Sequence, residues 1–243
     1  MPKNANALKS QGRGRPPGRT AQGDASGERL YRIAIELITE RGYEATTLRD
    51  IARNADVSVG LLYRYFPSKR AVVLGLYDEL SAEYAKRAAQ MPPGKWRDRF
   101  AYALRTSLEV LGPHRKTLSA LFPILVGDAG DGLFSPRTAF SRRRVQHVFG
   151  QAIIAAADAP AGEVCGALGR LLYLGHLAII QWWLLDKSPG QRATLGLIKL
   201  IEQTLPVTAL VLRLGPIRRF VVSADALFHE ALLDEEHPLP EVS

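Results

Sequence analysis

Between Thr46 and Lys69 the chain carries side chains suited to binding another molecule rather than to catalysis. One short predicted helix leaves apolar and aromatic groups on or near its exposed surface, which suggests contact with a partner. These groups are Val59, Gly60, Leu61, Tyr63 and Tyr65. Arg49 lies on the polar side of the preceding helix, and Lys69 stands in the first turn of the following one. A cation is unfavourable there unless an anion is nearby, so the segment predicts a surface that binds an anionic partner.

The first of two short helices is predicted to begin after Thr47. Thr47 and Asp50 have the spacing of a capping box, although Asp is not the usual partner in that motif. Leu48, Ile51 and Ala52 recur on one helical face, which should therefore pack inward. The remaining face is polar and carries the arginines.

The second helix is predicted to follow a tight turn at residues 54–56, where Asn and Asp tolerate turn conformations. Ser58 is a suitable N-cap. Leu62 and Phe66, four residues apart, form the inward stripe. Pro67 ends the helix, and a third helix begins beyond it. Two short helices joined in this way are a means of laying one helix in the major groove of DNA.

Over roughly residues 28–75 this pattern resembles the TetR family of bacterial transcriptional regulators. The matching features are Gly42-Tyr43, Thr46-Thr47, Arg49-Asp50-Ile51-Ala52, Val57-Ser58, Gly60, Leu62-Tyr63, Tyr65-Phe66 and Ser68-Lys69. Asp56 stands where the family usually carries Gly, and Leu61 where a small polar residue is frequent. The resemblance implies an all-α fold, with an N-terminal helix-turn-helix DNA-binding domain followed by a helical ligand-binding and dimerisation domain.

The resemblance also implies a role for each exposed residue of the segment. Phosphate contacts, which orient the domain without carrying sequence information, are implied for Thr47, Tyr63, Tyr65 and Lys69. Arg49 is the best base-reading candidate, because a guanidinium can bind O6 and N7 of guanine together. Val59 and Leu61 could touch thymine methyl groups, and Gly60 would let the backbone approach the groove. The alternatives are that Tyr63 and Tyr65 pad the core and that Arg49 is an ordinary solvated arginine.

The first 26 residues are rich in Gly, Pro, Ser, Asn and Gln and are predicted to form a disordered basic arm. The centre of the arm, GRGRPPGR at residues 12–19, resembles an AT-hook. Arg13 and Arg15 would enter the narrow, electronegative minor groove of A·T-rich DNA. A basic tail that acts only through phosphates is the alternative. The net charge of +8 is compatible with nucleic acid or an anionic membrane surface as partner.

The only cysteine, Cys165, excludes an intrachain disulfide and fits a cytoplasmic location. An inert, buried thiol is expected there rather than a redox sensor. No run of eighteen uncharged apolar residues indicates a membrane span, since the nearest, residues 171–185, contains His176 and Gln181. The scattered histidines predict no metal site, and no residue pattern calls for a cofactor.

Beyond Lys69 the chain is predicted to form successive helices. Their expected limits are about 68–90, 95–111, 114–125, 136–157, 161–185, 189–214 and, less clearly, 218–233. The helices at 161–185 and 189–214 are apolar over more than one stripe, so they should be covered on all sides. Two copies packed as a four-helix bundle would cover them, as the resemblance also implies. Residues 161–214 are predicted to bury the dimer contact, with Leu172, Ile179 or Trp183 facing the partner.

A small-molecule pocket is expected within roughly residues 95–185, because such sites are apolar with a few polar groups. Its candidate lining residues are Phe100, Tyr102, Phe122, Tyr173, His176 and Trp182. Each of them could instead be a core residue. The run Arg142-Arg143-Arg144 is most simply a solvated face; a contact with DNA, an acidic group or an anionic ligand is the alternative.

Together these observations favour a homodimeric, ligand-responsive transcriptional repressor that binds double-stranded DNA. The predicted domains are the arm at 1–26, the DNA-binding domain at 27–75, the helical body at 76–233 and an acidic tail at 234–243. A DNA-organising protein of the same fold, with no small-molecule inducer, is the second hypothesis. An enzyme is the third, and no catalytic triad spacing or phosphate-binding loop supports it.

Overall fold

The computed structural model describes residues 21–127 and 132–233, which form ten α-helices and no strand. The helices are α1 Ala21–Arg41, α2 Leu48–Asn54, α3 Val59–Tyr65, α4 Lys69–Ala88, α5 Trp96–Leu111, α6 Arg115–Gly127, α7 Ala139–Ile154, α8 Glu163–Leu185, α9 Arg192–Val211 and α10 Gly215–Phe228. The predicted all-α fold is confirmed. The last helix begins three residues earlier than expected, because Pro216 suits a helical first turn.

Helix α1 begins at Ala21, inside the segment predicted to be a disordered arm. The prediction is therefore wrong for residues 21–26. Packing explains the difference, because α1 buries Leu30, Ala34 and Ile38, and tertiary packing of one face stabilises a helix beyond its local propensity. Arg13 and Arg15 lie outside the described residues, as does the acidic tail at 234–243.

The head of the molecule, α1 to the start of α4, encloses a small apolar core. Ile51, Ala52 and Leu62 are fully buried in it, and Leu48 and Phe66 pack against it, as the sequence predicted. Helix α4 then continues without a break through residues 75–76, so one rigid helix connects the head to the body.

Helices α7 and α8 form the closest pair in the body. A Cβ placed on Gly169 of α8 would lie 3.1 Å from the Cα of Gly150 on α7, so a larger residue there would force the two backbones apart by a few tenths of an ångström. Aromatic rings gather beside this contact: Phe149 lies 4.8 Å from His176 and 6.3 Å from Tyr173, between ring centroids.

The prediction that the run Arg142-Arg143-Arg144 is a solvated face is wrong at Arg142. Its side chain is buried and donates to the carbonyl oxygens of Leu133 and Ser135, at 3.2 and 3.0 Å. Arg144 extends from α7 to α4, and Arg143 alone of the three is exposed. Consecutive helical residues point in directions about 100° apart, so a run of three cannot share one face.

Candidate nucleic-acid interface and ligand cavity

Helix α2 begins with the capping box that the sequence predicted. The hydroxyl oxygen of Thr47 accepts from the backbone N–H of Asp50, and the Asp50 carboxylate accepts from the backbone N–H of Thr47, both at 3.1 Å. The Thr47 hydroxyl also donates to that carboxylate. The Thr47 hydroxyl, and after it the Thr47 backbone N–H, donates to the Asp50 carboxylate and so lowers the pKa of Asp50 below its usual range. These bonds occupy the hydroxyl and backbone donors of Thr47, so a phosphate contact at this residue would compete with the cap.

The turn between α2 and α3 depends on Asp56, whose φ is +52°. This left-handed conformation is the one that Gly adopts most readily, and Asp tolerates it better than most residues do. The backbone N–H of Val57 then donates to the carbonyl of Ala52 at 3.0 Å and closes the turn. The departure from the family pattern at Asp56 thus keeps the geometry of a tight helix-turn-helix.

Helix α3 presents one side to solvent while Leu62 anchors the other. Ser58 caps its first turn by accepting from the backbone N–H of Leu61. Gly60 is exposed, and nothing lies within 4 Å of a Cβ placed there, so the N-terminal face is open to a partner. Val59 and Leu61 flank it, each half-buried.

The two tyrosines of α3 have different surroundings. Tyr63 is 53% exposed, which excludes the alternative that it pads the core. Tyr65 is half-buried and packs against the core, and its ring lies 3.0 Å from a Cβ placed on Gly27 of α1, so a side chain at Gly27 would displace the ring. Only Tyr63 therefore projects its ring from the surface, whereas Tyr65 is also part of the head's packing.

Arg49 and Lys69, the two predicted cationic contacts, also differ. Arg49 is exposed on the first turn of α2. Lys69 is half-buried: its ammonium group donates to the carbonyl of Tyr43 and lies 3.9 Å from the centroid of the Tyr43 ring. An ammonium carries three protons, so two remain for a phosphate. The sequence did not indicate this second, structural role of Lys69.

An apolar cavity of about 610 Å³ lies in the body between α4, α5, α6 and α8. Two of the six predicted pocket residues, Phe122 and His176, line it. Phe100 and Tyr173 are buried core residues, and Trp182 is 49% exposed on the outside of α8. Tyr102 belongs to a separate, charged hollow of about 790 Å³ beside α5 and α9.

His176 joins the cavity to the aromatic cluster. Its Nε2 and the hydroxyl of Ser107 are hydrogen-bonded at 2.7 Å, and its ring stacks on Tyr84 with centroids 6.2 Å apart. Burial lowers the pKa of His176 to about 3, so the imidazole is neutral. Over residues 21–127 and 132–233, no group of three or more His, Cys, Asp or Glu residues is arranged to hold a metal ion.

Several large apolar side chains are exposed on α8, α9 and α10 and in the turn between the last two helices. They are Trp182, Leu185, Leu195, Leu200, Val207, Leu210, Leu214, Phe220 and Leu227. Ile179 and Trp183, which were predicted to face a partner chain, are instead buried within this chain. The reason is that α7 and α10 already pack on α8 and cover part of its apolar surface.

Two helical segments, Glu163–Leu185 and Pro189–Val211, are long and apolar enough to cross a membrane by length and composition alone. In their most apolar windows 39% and 17% of residues are buried. Core or interface helices of soluble proteins meet the same criterion. The neutral, hydrogen-bonded His176 within α8 is accounted for by packing inside the bundle.

Residues 30–76 match the sequence model of a family described as bacterial regulatory proteins, tetR family. The chain is 42% identical over 70 residues to the HTH-type transcriptional repressor KstR of Rhodococcus jostii, an alignment that covers 28% of this chain and 32% of that protein. The chain thus spans about a third of the length of this curated relative.

Solved structures extend the likeness to the whole fold. A tetR-family transcriptional regulator from Streptomyces coelicolor superposes with a TM-score of 0.58 at 19% identity, covering 88% of this chain and 92% of that one. A TetR transcriptional regulator from Nitrosomonas europaea gives 0.55 at 21% identity, covering 77% and 99%. At these identities the likeness establishes the fold.

Proposed function

Because residues 30–76 carry the helix-turn-helix domain of the tetR family of bacterial regulatory proteins, we propose that this chain regulates transcription as a DNA-binding homodimer. In the proposed mechanism the dimer binds a palindromic operator in the cytoplasm and represses transcription, and a small molecule that binds the protein releases it from the operator.

The observation that carries the proposal is the exposed face of α3. Leu62 holds the helix against the head core, Gly60 leaves the N-terminal face open, and Tyr63 projects beside it. Helix-turn-helix proteins place the N-terminal residues of such a helix against base edges in the major groove. Arg49 on α2 is exposed near this face, where it can read guanine.

Dimerisation is supported by the apolar surface on α8, α9 and α10. Single exposed apolar residues are ordinary, but a concentration of them on three consecutive helices favours an interaction site. A twofold axis through this surface would pair two heads, and each head would read one half of a palindrome. The predicted interface at residues 161–214 remains the proposal, with Val207 and Leu210 in place of Ile179 and Trp183.

Release by a small molecule is supported by the position of α4. Its C-terminal half contributes Leu80, Ser81 and Tyr84 to the cavity wall, and its N-terminal end belongs to the head. A ligand that favours one position of α4 would change the spacing of the two heads. Similarity to a transcriptional repressor favours this mechanism over a DNA-organising protein.

The test is selection of bound duplexes from a random pool by the purified protein. The expected result is a palindromic sequence whose half-sites lie about one helical turn, or slightly more, apart. The double variant Arg49→Ala/Tyr63→Ala should lose this enrichment, whereas Arg192→Ala, an exposed arginine at the start of α9, should keep it. Enrichment of no sequence by the folded parent protein would refute the proposal.

A further inference from the structure

The cavity between α4 and α8 has a lining of unusual uniformity. Leucine, isoleucine, valine and phenylalanine side chains form most of its wall, among them Leu111, Leu118, Phe122 and Leu174. Its volume of about 610 Å³ lies within the range of sites that bind small molecules, about 300–1,000 Å³. The wall therefore offers a ligand mainly the burial of apolar surface.

Among the described residues that line the cavity there is no Asp, Glu, Lys or Arg. Two arginines lie outside the wall and are already engaged: Arg142 donates to the carbonyls of Leu133 and Ser135, and Arg144, which reaches the wall residue Ser81, is paired with the Asp78 carboxylate. His176 is neutral because burial lowers its pKa. An ion that entered the cavity would lose its hydration without gaining a partner of opposite charge, which is strongly unfavourable.

Two polar atoms in the cavity region lack a hydrogen-bond partner within the described part of the chain. They are Nδ1 of His176 and the hydroxyl of Tyr84, both in side chains that line the cavity. Their rings are stacked at 6.2 Å, and Ser107 already binds the other imidazole nitrogen. A buried polar atom without a partner costs about 1–3 kcal/mol, so a ligand that supplies a hydrogen bond here is favoured.

We propose that this cavity binds an uncharged, mainly apolar molecule whose hydrogen-bonding group contacts Tyr84 or His176. Such a molecule would be the ligand that releases the proposed regulator from DNA, and this biological role rests on the proposed function. The binding site itself depends only on the cavity, so the experiments that test the site measure ligand binding without DNA.

The first experiment uses the neutral fluorophore N-phenyl-1-naphthylamine as the probe. Three competitors share one chain length: decan-1-ol, decanoate at pH 8 and decyltrimethylammonium. Decan-1-ol should displace the probe at a concentration about tenfold or more below that of either ion. Only the ions lose the hydration of a charged group without gaining a partner of opposite charge in the cavity. Equal or better displacement by decanoate or by the ammonium compound would overturn the proposal.

A pair of variants locates the binding. Leu174→Trp places a larger ring in the cavity wall and should abolish most probe binding. Ile154→Trp adds the same ring at an exposed site at the end of α7, away from the cavity, and should leave binding unchanged. Circular dichroism checks that both variants fold. If Leu174→Trp folds and binds the probe like the parent, the cavity is not the site. If it fails to fold, the competitor series on the parent decides.

The hydrogen-bonding group is tested with 1-naphthol and naphthalene, which differ by one hydroxyl. In the parent protein 1-naphthol should compete better than naphthalene, and Tyr84→Phe or His176→Phe should reduce that advantage severalfold. An unchanged advantage in both variants and in their combination would overturn the assignment of the polar contact. Ligand binding that leaves operator affinity unchanged would instead count against the proposed regulation, and not against the site.

Discussion

Arg144 of α7 hydrogen-bonds to Asp78 of α4, the helix that connects the head to the body, and to Ser81 one turn further along that helix. The guanidinium donates to the Asp78 carboxylate at 3.0 Å, to the Asp78 backbone carbonyl at 2.9 Å and to the hydroxyl of Ser81 at 2.6 Å. Ser141 of α7 donates to the same carboxylate at 3.0 Å. Since Ser81 also lines the cavity, this contact joins the cavity wall, the body and the helix that leads to the head.

Loss of this contact should weaken the coupling between ligand and DNA. We expect Asp78→Ala to keep operator affinity within a few-fold while reducing the effect of ligand on that affinity by about 0.5–2 kcal/mol. The measurement is operator affinity with and without ligand. Glu83→Gln, which removes an exposed ion pair with Arg87 on the same helix, is the matched control. An equal loss of coupling in both variants would contradict the role given to Arg144.

Arg49 and Tyr63 should affect DNA binding in different ways. Arg49→Ala should relax preference at one base pair, by about 1–3 kcal/mol, because it removes a direct base contact. Tyr63→Ala should weaken binding to all sequences about equally, because a phosphate contact carries no sequence information. Affinity measured on an operator and its single-base variants separates the two. A Tyr63→Ala protein with altered base preference would show that the assignments are wrong.

The turn residue Asp56 should tolerate Gly better than Ala. Ala at a φ of +52° is strained, and we expect Asp56→Ala to lower the free energy of unfolding by about 1 kcal/mol. Asp56→Gly removes the strain and should be neutral or stabilising. Chemical denaturation of both variants gives the answer. Greater stability of the Ala variant would mean that the turn does not have this conformation in solution.

The stability of the body should fall in acid because of His176. Its folded pKa is about 3, below the unfolded value near 6.5, so protonation favours the unfolded chain. The contribution of His176 to the free energy of unfolding is therefore fully present above about pH 6.5. It declines as the pH falls toward 3, by up to about 1.4 kcal/mol per pH unit. Denaturation between pH 6.5 and 4.5 should show a shallower decline for His176→Gln than for the parent. His147→Gln, at an exposed histidine, should match the parent.

The dimer should depend on residues that are exposed in the single chain. Leu210 is 64% exposed, so Leu210→Asp should leave the fold intact and place an unpaired charge in the interface. Analytical ultracentrifugation should then find monomers, and operator affinity should fall because one head reads half a site. Ile179→Asp should instead unfold the chain, since Ile179 is buried within it. An intact Leu210→Asp dimer would place the interface elsewhere.

The head could be predicted in detail because its signals are local. The caps at Thr47 and Ser58, the inward stripe and the helix end before Pro67 each depend on residues within four positions. Lys69 shows where this reasoning stops, because its contact with Tyr43 joins residues 26 positions apart. Local spacing carries no information about such a pair.

In the body, periodicity predicted the helices but not their neighbours. Ile179 and Trp183 belong to an apolar helix in either case, and only the packing of α7 and α10 decides that they lie inside the chain. Arg142 is buried because carbonyls near residue 133 accept its protons, which no charge pattern indicates. Of the predicted pocket residues, Phe122 and His176 line the cavity; Ser107, which also lines it, was not predicted because a lone serine gives no signal.

The wall of the cavity includes Gly175, Ala178 and Gln181, three residues on the exposed side of α8. In the proposed dimer, the second subunit would approach this side and close the remaining opening. Ligand binding and dimerisation would then be thermodynamically linked: bound ligand would change the affinity of the two subunits by the same factor as dimerisation changes the affinity for the ligand. The concentration of ligand needed for half-saturation would change when the protein is diluted, so the cell's copy number of this chain would set part of its sensitivity.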